Sequence, residues 1–156
     1  NAPRSNSDDR RGLAGAIPLY HIAAAAAREG RTLDEVADLA QRYADSMATI
    51  AVAARCATHP ATGAEFGDLG DVDMEIGMGQ HGEGGGGRQP MKTAKETIEI
   101  MANALVKDIP LQAGDRAFVM INGSGATTLM EMFILYKDCV HYLEGLGIEV
   151  VANMVG

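Results

Sequence analysis

The 156-residue sequence predicts an α/β fold, a mixed or mostly parallel sheet flanked by helices. Three observations carry this expectation. Two S/T-x-x-E capping boxes announce helix starts. Short apolar or alternating runs, each closed by glycine or a turn, separate the helical stretches. Through the second half, helices and strands follow one another in turn, which favours parallel crossovers. The length suits one α/β domain over residues 1–156, enough chain for a proper core.

Each element can be justified in order. Residues 1–9 are polar and read as a frayed end or a linker. Arg10 to Arg28 is helical in pattern, and Pro18 is expected to kink the helix or end its first part. Gly30 stops it. Thr32-Leu33-Asp34-Glu35 then opens a helix to about Ser46, with Leu33, Val36, Leu39, Ala40 and Tyr43 as its apolar face. Thr49 to Ala54 leans toward strand, and His59 to Gly63 is rich in turn residues. Asp71 to Met78 alternates, with Asp71, Asp73 and Glu75 on one side and Val72, Met74 and Ile76 on the other. That strand runs straight into the glycine-rich stretch GMGQHGEGGGGRQP, residues 77–90. Thr93-Ala94-Lys95-Glu96 begins another helix, to about Lys107, broken by Asp108, Pro110 and Gly114. Arg116 to Ile121 is a short apolar strand. Asn122 to Thr127 turns into a helix from Thr128 to about Leu143, Gly145 and Gly147 close it, and Ile148 to Met154 is the last strand.

Composition removes whole classes of function. With 21 acidic against 13 basic residues the net charge is -8, the wrong sign for a general nucleic-acid binder. Three Phe, four Tyr and no Trp leave no aromatic platform for bases. The most apolar stretch, Gly12 to Ala27, is alanine-rich and interrupted by Pro18 and His21, a poor membrane span and a poor signal peptide. A cytoplasmic setting is expected. Cys56 and Cys139 belong to no CxxC pair and are expected to be buried, reduced thiols.

Two loops could carry chemistry. The Asn122–Thr127 loop lies between a strand and a helix N-terminus, whose free N–H groups favour an anion. It fits neither a P-loop, a G-x-G-x-x-G fingerprint nor a nucleophile elbow. It is therefore either a tight turn capped by Ser124 or Thr127, or a phosphate or substrate contact through Gly123, Ser124 and Gly125. In the other loop, Gly77, Gly79 and Gly82 leave His81 little cover. An accessible imidazole there can act as general base, metal ligand or nucleophile toward a carbonyl carbon. A metal site would want further ligands: His21, His59 and His141 are scattered, and Asp71, Asp73 and Glu75 read as a solvated strand face.

The run from Met74 to Glu83, Met74-Glu75-Ile76-Gly77-Met78-Gly79-Gln80-His81-Gly82-Glu83, resembles the E-x-G-x-G-I-H-G-E-P-G signature of dihydroxyacetone kinases, in their ketone-binding (K) subunit or domain. Arg10-Arg11-Gly12-Leu13-Ala14-Gly15 is similar to that family's helix start. Asn122-Gly123-Ser124-Gly125-Ala126-Thr127 through Glu131 resembles its N-G-x-G-A-T-x-x-x-E segment, and Gly147 to Gly156 its strand ending in N-x-x-G.

The resemblance implies that His81 joins covalently to the carbonyl carbon of a short-chain hydroxyketone as a hemiaminal, with Gly79 and Gly82 shaping the loop and Glu83 orienting His81 or a substrate hydroxyl. It implies phosphorylation of the ketone's terminal hydroxyl, the phosphoryl group coming from ATP with Mg²⁺ or from a phosphoprotein on a separate domain or subunit. The resemblance places Mg²⁺ and nucleotide on that donor, so no cofactor or metal is assigned to this chain itself, and a homodimer is expected. The family's Ile before the histidine is Gln80 here, and its Pro after Glu83 is Gly84, extended to Gly87. Those departures leave dihydroxyacetone or a larger ketose, such as a tetrulose, as substrate. The family also places a second histidine and an aspartate in an N-terminal α/β region. The chain is accordingly expected to be the second α/β portion of a longer subunit, inactive as a kinase alone. A ketose-sensing or regulatory paralogue is the rival reading.

Overall fold

The computed structural model describes residues 6, 10–65, 67, 69–79, 85 and 87–156. A 3-10 turn, Leu13–Gly15, leads into helices α1 (Ala16–Arg28) and α2 (Leu33–Asp45). Strands β1 (Val52–Ala53), β2 (Asp73–Ile76) and β3 (Gly87–Pro90) follow. The chain continues through α3 (Ala94–Asp108), β4 (Arg116–Ile121), α4 (Leu129–Gly145) and β5 (Glu149–Val155).

The α/β class holds, but the strands divide between two sheets among the described residues. β1, β2 and β3 form an antiparallel sheet with β2 in the middle, while β4 and β5 form a parallel pair. The connections decide this. Among the described residues no helix separates β2 from β3, and the two strands return on each other as an antiparallel pair. α4 lies between β4 and β5 and supplies the crossover that a parallel pair needs. β3, with the sequence GRQP, has no strand propensity to announce it. It forms because it sits at the sheet edge, where proline is tolerated.

Other expectations are corrected locally. Pro18 neither kinks nor ends a helix, because α1 begins at Ala16 and Pro18 falls in its first turn, where a missing N–H costs no intrahelical bond. The helix α2 starts where the Thr32 capping box puts it, yet Leu33 stands exposed at its first position. Val36, Leu39, Ala40 and Tyr43 are half-buried on the side packed against α1, and the Tyr43 hydroxyl donates to Gly15 O at 3.1 Å. Val72 is also exposed, because residues 70–72 form a turn and β2 begins only at Asp73.

The main core gathers Ile98 of α3, Val119 of β4, Cys139 and Leu143 of α4, and Ile148 just before β5. Full burial of such a side chain contributes about 1.5–3 kcal/mol. A second buried group, Leu69, Met74 and Ile76, includes the inner face of the antiparallel sheet. α3 connects the two, since the Thr97 hydroxyl reaches Met74 Sδ at 3.8 Å one residue before Ile98 enters the main core. The Arg10 guanidinium clasps Asp108 with two bonds of 2.7 Å, tying the approach to α1 to the last residue of α3. Both cysteines are free; Cys139 is buried, Cys56 half-buried. No helix among the described residues is long and apolar enough to cross a membrane.

Candidate functional site

The strand β2 leads toward the glycine loop. Its alternation buries Met74 and Ile76 and leaves Asp73 and Glu75 half-buried on the other face. Gly77 follows with φ +77°, a conformation that favours glycine, and its N–H donates to Ala51 O at 2.6 Å. Met78 and Gly79 are half-buried. Gln80, His81, Gly82, Glu83 and Gly84 lie outside the described residues. On the returning limb, the Gly85 N–H donates to Glu75 Oε1 at 3.0 Å. A Cβ at Gly85 would overlap Ile76 O, the Gly77 carbonyl carbon and Met78 N. Gly87, the first residue of β3, has φ +114°. Two members of the four-glycine run thus have separate steric reasons to be glycine, close backbone approach at Gly85 and a left-handed backbone at Gly87.

The three acidic residues of this region divide. Asp71 is an exposed partner of Arg55 at 3.1 Å, as a solvated face would have it. Glu75 instead holds the loop's returning limb, and Arg88 stands opposite it in the β2–β3 register. Sequence alternation assigns a face to Glu75; it carries no signal for a partner at Gly85.

The Asn122–Thr127 turn lies at the carboxyl end of the parallel pair, where α/β sheets bind ligands. The strand ladder continues past β4 and β5 into this turn. Gly156 N–H donates to Ile121 O at 3.0 Å, and Gly123 N–H donates to Gly156 O at 3.1 Å. A Cβ at Gly123 would stand 3.1 Å from Met132 Sδ, so the turn is pressed onto α4. Gly125 takes φ +113°, and Ser124 is exposed. The helix cap is neither Ser124 nor Thr127. Thr128 caps α4 in a reciprocal box with Glu131, whose carboxylate accepts from Thr128 N at 2.8 Å and from its hydroxyl at 2.7 Å. Those bonds hold the Glu131 carboxyl below the usual carboxylate range. Thr128-Leu129-Met130-Glu131 has the same pattern as the other two boxes, so the signal was present in the sequence.

Among the described residues no hydrogen bond joins Gly79 to the Asn122–Thr127 turn, and no three His, Cys, Asp or Glu side chains gather as metal ligands. His21 and His141 are exposed on α1 and α4, and His59 Nδ1 accepts from Ala61 N at 3.2 Å. A cleft of about 330 Å³ lies between the start of α1 and the ends of α2 and α3, lined by Arg10, Gly12, Asp45, Met47 and Asp108. None of the candidate residues lines it.

An α/β domain with a glycine-rich connection after β2 and a second turn at a parallel-strand end has the layout in which α/β folds commonly place ligands. Residues 1–156 match the Dak1 domain, and the chain belongs to that family. It is 37% identical over 147 residues to the dihydroxyacetone-binding subunit DhaK of the PTS-dependent dihydroxyacetone kinase of Lactococcus lactis, covering 94% of this chain and 44% of that protein. It is 31% identical over 160 residues to the L-erythrulose kinase of Pectobacterium atrosepticum, covering 100% of this chain and 27% of that one. Among solved structures, the dihydroxyacetone kinase operon co-activator Dha-DhaQ superposes with a TM-score of 0.84 at 27% identity, over 92% of this chain and 45% of that chain. The chain therefore spans less than half the length of these relatives.

Proposed function

We propose that the chain is the hydroxyketone-capturing part of a kinase that phosphorylates dihydroxyacetone or a similar short-chain ketose. The observation that carries this reading is the family match over residues 1–156, joined to the signature-like run from Met74 to Glu83. His81 is the covalent anchor. An imidazole nitrogen adds to the carbonyl carbon, the carbonyl π pair moves to oxygen, and the proton that leaves the imidazole ends on the new hydroxyl. No atom is lost, so the hemiaminal is reversible. Capture by reaction excludes glycerol, which has no carbonyl, a distinction that few contacts to so small a polyol could make. The bond also orients the terminal hydroxyl for phosphoryl transfer. Gly79 and Gly82 give the loop its clearance, and Glu83 orients His81 or a substrate hydroxyl. Ser124 and Gly125 offer hydroxyl and N–H groups suited to a phosphate, while the Gly123 N–H is given to Gly156 O and holds the turn to the strand end.

The donor is ATP with Mg²⁺, or a phosphoprotein, on a separate domain or subunit, and the subunit pairs as a homodimer. The relative named as an L-erythrulose kinase supports a tetrulose as an alternative substrate. Likeness to an operon co-activator supports a second reading, a ketose-sensing protein that binds but passes no phosphate. Carbon-13 NMR of carbonyl-labelled dihydroxyacetone, with the full polypeptide and its His81→Ala variant, tests the capture. An sp³ carbon signal in the wild type alone is expected; the same signal from His81→Ala would sink the covalent role. Phosphotransfer from a supplied donor subunit then separates kinase from sensor.

A further inference from the structure

We propose that Glu75 and Gly85 are positioning residues that clamp the base of the capturing loop and so set where it presents its nucleophile. The inference rests on the reading of His81 as covalent anchor. Residues 77–86 join β2 to β3 beyond the last register pair, Ile76 with Gly87. Hairpin loops usually run about two to five residues, and a longer one must be held at its base to present one side chain in one place.

The base of this loop is held on both limbs. The outgoing limb is fixed at Gly77, whose N–H donates to Ala51 O at 2.6 Å, just ahead of β1. The returning limb is fixed at Gly85, whose N–H donates to Glu75 Oε1 at 3.0 Å. Gly85 lies against the Ile76–Met78 backbone so closely that any Cβ would overlap it. The two limbs are therefore in backbone contact where Gly85 meets Ile76–Met78. A carboxylate makes a stronger acceptor than a neutral amide. Nucleophilic addition depends on near-attack geometry, where an error on the order of 1 Å costs about a hundredfold. A clamp at the loop base controls that geometry without touching the substrate.

The test uses the full polypeptide and carbonyl-labelled dihydroxyacetone, read as the dissociation constant for adduct formation and as the thermal midpoint. Glu75→Ala and Gly85→Ala are expected to weaken adduct formation by roughly tenfold or more, with a midpoint close to wild type for Glu75→Ala. Glu75→Gln keeps an acceptor oxygen and is expected to recover most of the affinity. This rescue is a readout that a general loss of folding would not give. Wild-type affinity in both alanine variants overturns the proposal while leaving the His81 reading intact. Glu75→Gln as weak as Glu75→Ala overturns the hydrogen-bond clamp. Should Gly85→Ala fail to fold, the Glu75 pair decides alone. Undiminished adduct in the His81→Ala variant overturns the reading on which the clamp depends, and the clamp with it.

Discussion

Arg10 and Asp108 stand 98 positions apart in sequence, yet their side chains meet in two bonds of 2.7 Å. The paired geometry matches a planar guanidinium to a carboxylate, and Asp108 is the more buried partner. Asp108→Ala is expected to cost about 1–3 kcal/mol in urea unfolding, because it removes a charge-assisted pair from a part-buried position. Cys139 makes a different point. Burial pushes its thiol from an ordinary 9.0 up to about 11. The folded state then holds a proton that the unfolded chain releases. This contribution to stability is whole below pH 9 and is lost as pH rises through about 11. In the native protein, a thiol reagent near neutral pH is expected to label half-buried Cys56 before Cys139, with Cys139 reacting only after denaturant is added. Equal native rates would contradict the burial argument. Burial is expected of both cysteines, since neither belongs to a CxxC pair, and it holds fully only for Cys139. The partner of Asp108 was not legible in the sequence, since no local pattern links residues at that separation.

Three of the four α-helices among the described residues begin with the same device. Thr32–Glu35, Thr93–Glu96 and Thr128–Glu131 each form a complete capping box. The pattern needs only four consecutive residues, which is why the first two starts were read correctly to the residue. The third helix is also expected from Thr128, and only its cap differs, moving from Ser124 or Thr127 to Thr128 itself. Thr128→Ala is expected to cost about 1 kcal/mol, read from the thermal midpoint. The glutamates of all three boxes have carboxyls held below their usual 4.5 by bonds from the threonine backbone and hydroxyl. Their stabilising contribution is present above pH 4.5 and is lost as pH falls through the lowered folded values. Glutamine at Glu35, Glu96 and Glu131 together is expected to flatten that part of the acid limb in a pH series of unfolding curves. An unchanged acid limb would show that the lowered values carry no stability. β3 shows the opposite case at this scale. GRQP becomes a strand only because β2 offers it an open edge.

Among the described residues, one principal core and one bridging helix hold the fold together. Ile98, Val119, Cys139, Leu143 and Ile148 come from α3, β4, α4 and the approach to β5. Ile148 is 1% exposed, so Ile148→Ala is expected to cost about 2–5 kcal/mol in denaturant unfolding. Because α3 also touches β2 through Thr97 and Met74, this loss is expected to be felt at the antiparallel sheet. Amide exchange in β2 should quicken in step with β4. Exchange confined to β4 and β5 would show that the two sheets unfold separately.

Helix starts, the apolar faces, the strand before the glycine loop and the histidine within it all depend on neighbours a few residues away. Capping, hydrophobic period and glycine punctuation act over that range, so they can be read along the chain. The pairing of strands cannot. It depends on which connections carry a crossover helix and which return directly, and that placed β2 in an antiparallel sheet and β4 with β5 in a parallel one. The Arg10–Asp108 clasp, the edge strand β3 and the Glu75–Gly85 contact belong to the same group. Each joins surfaces that meet only once the chain has closed its loops, and no local preference of either partner specifies the other.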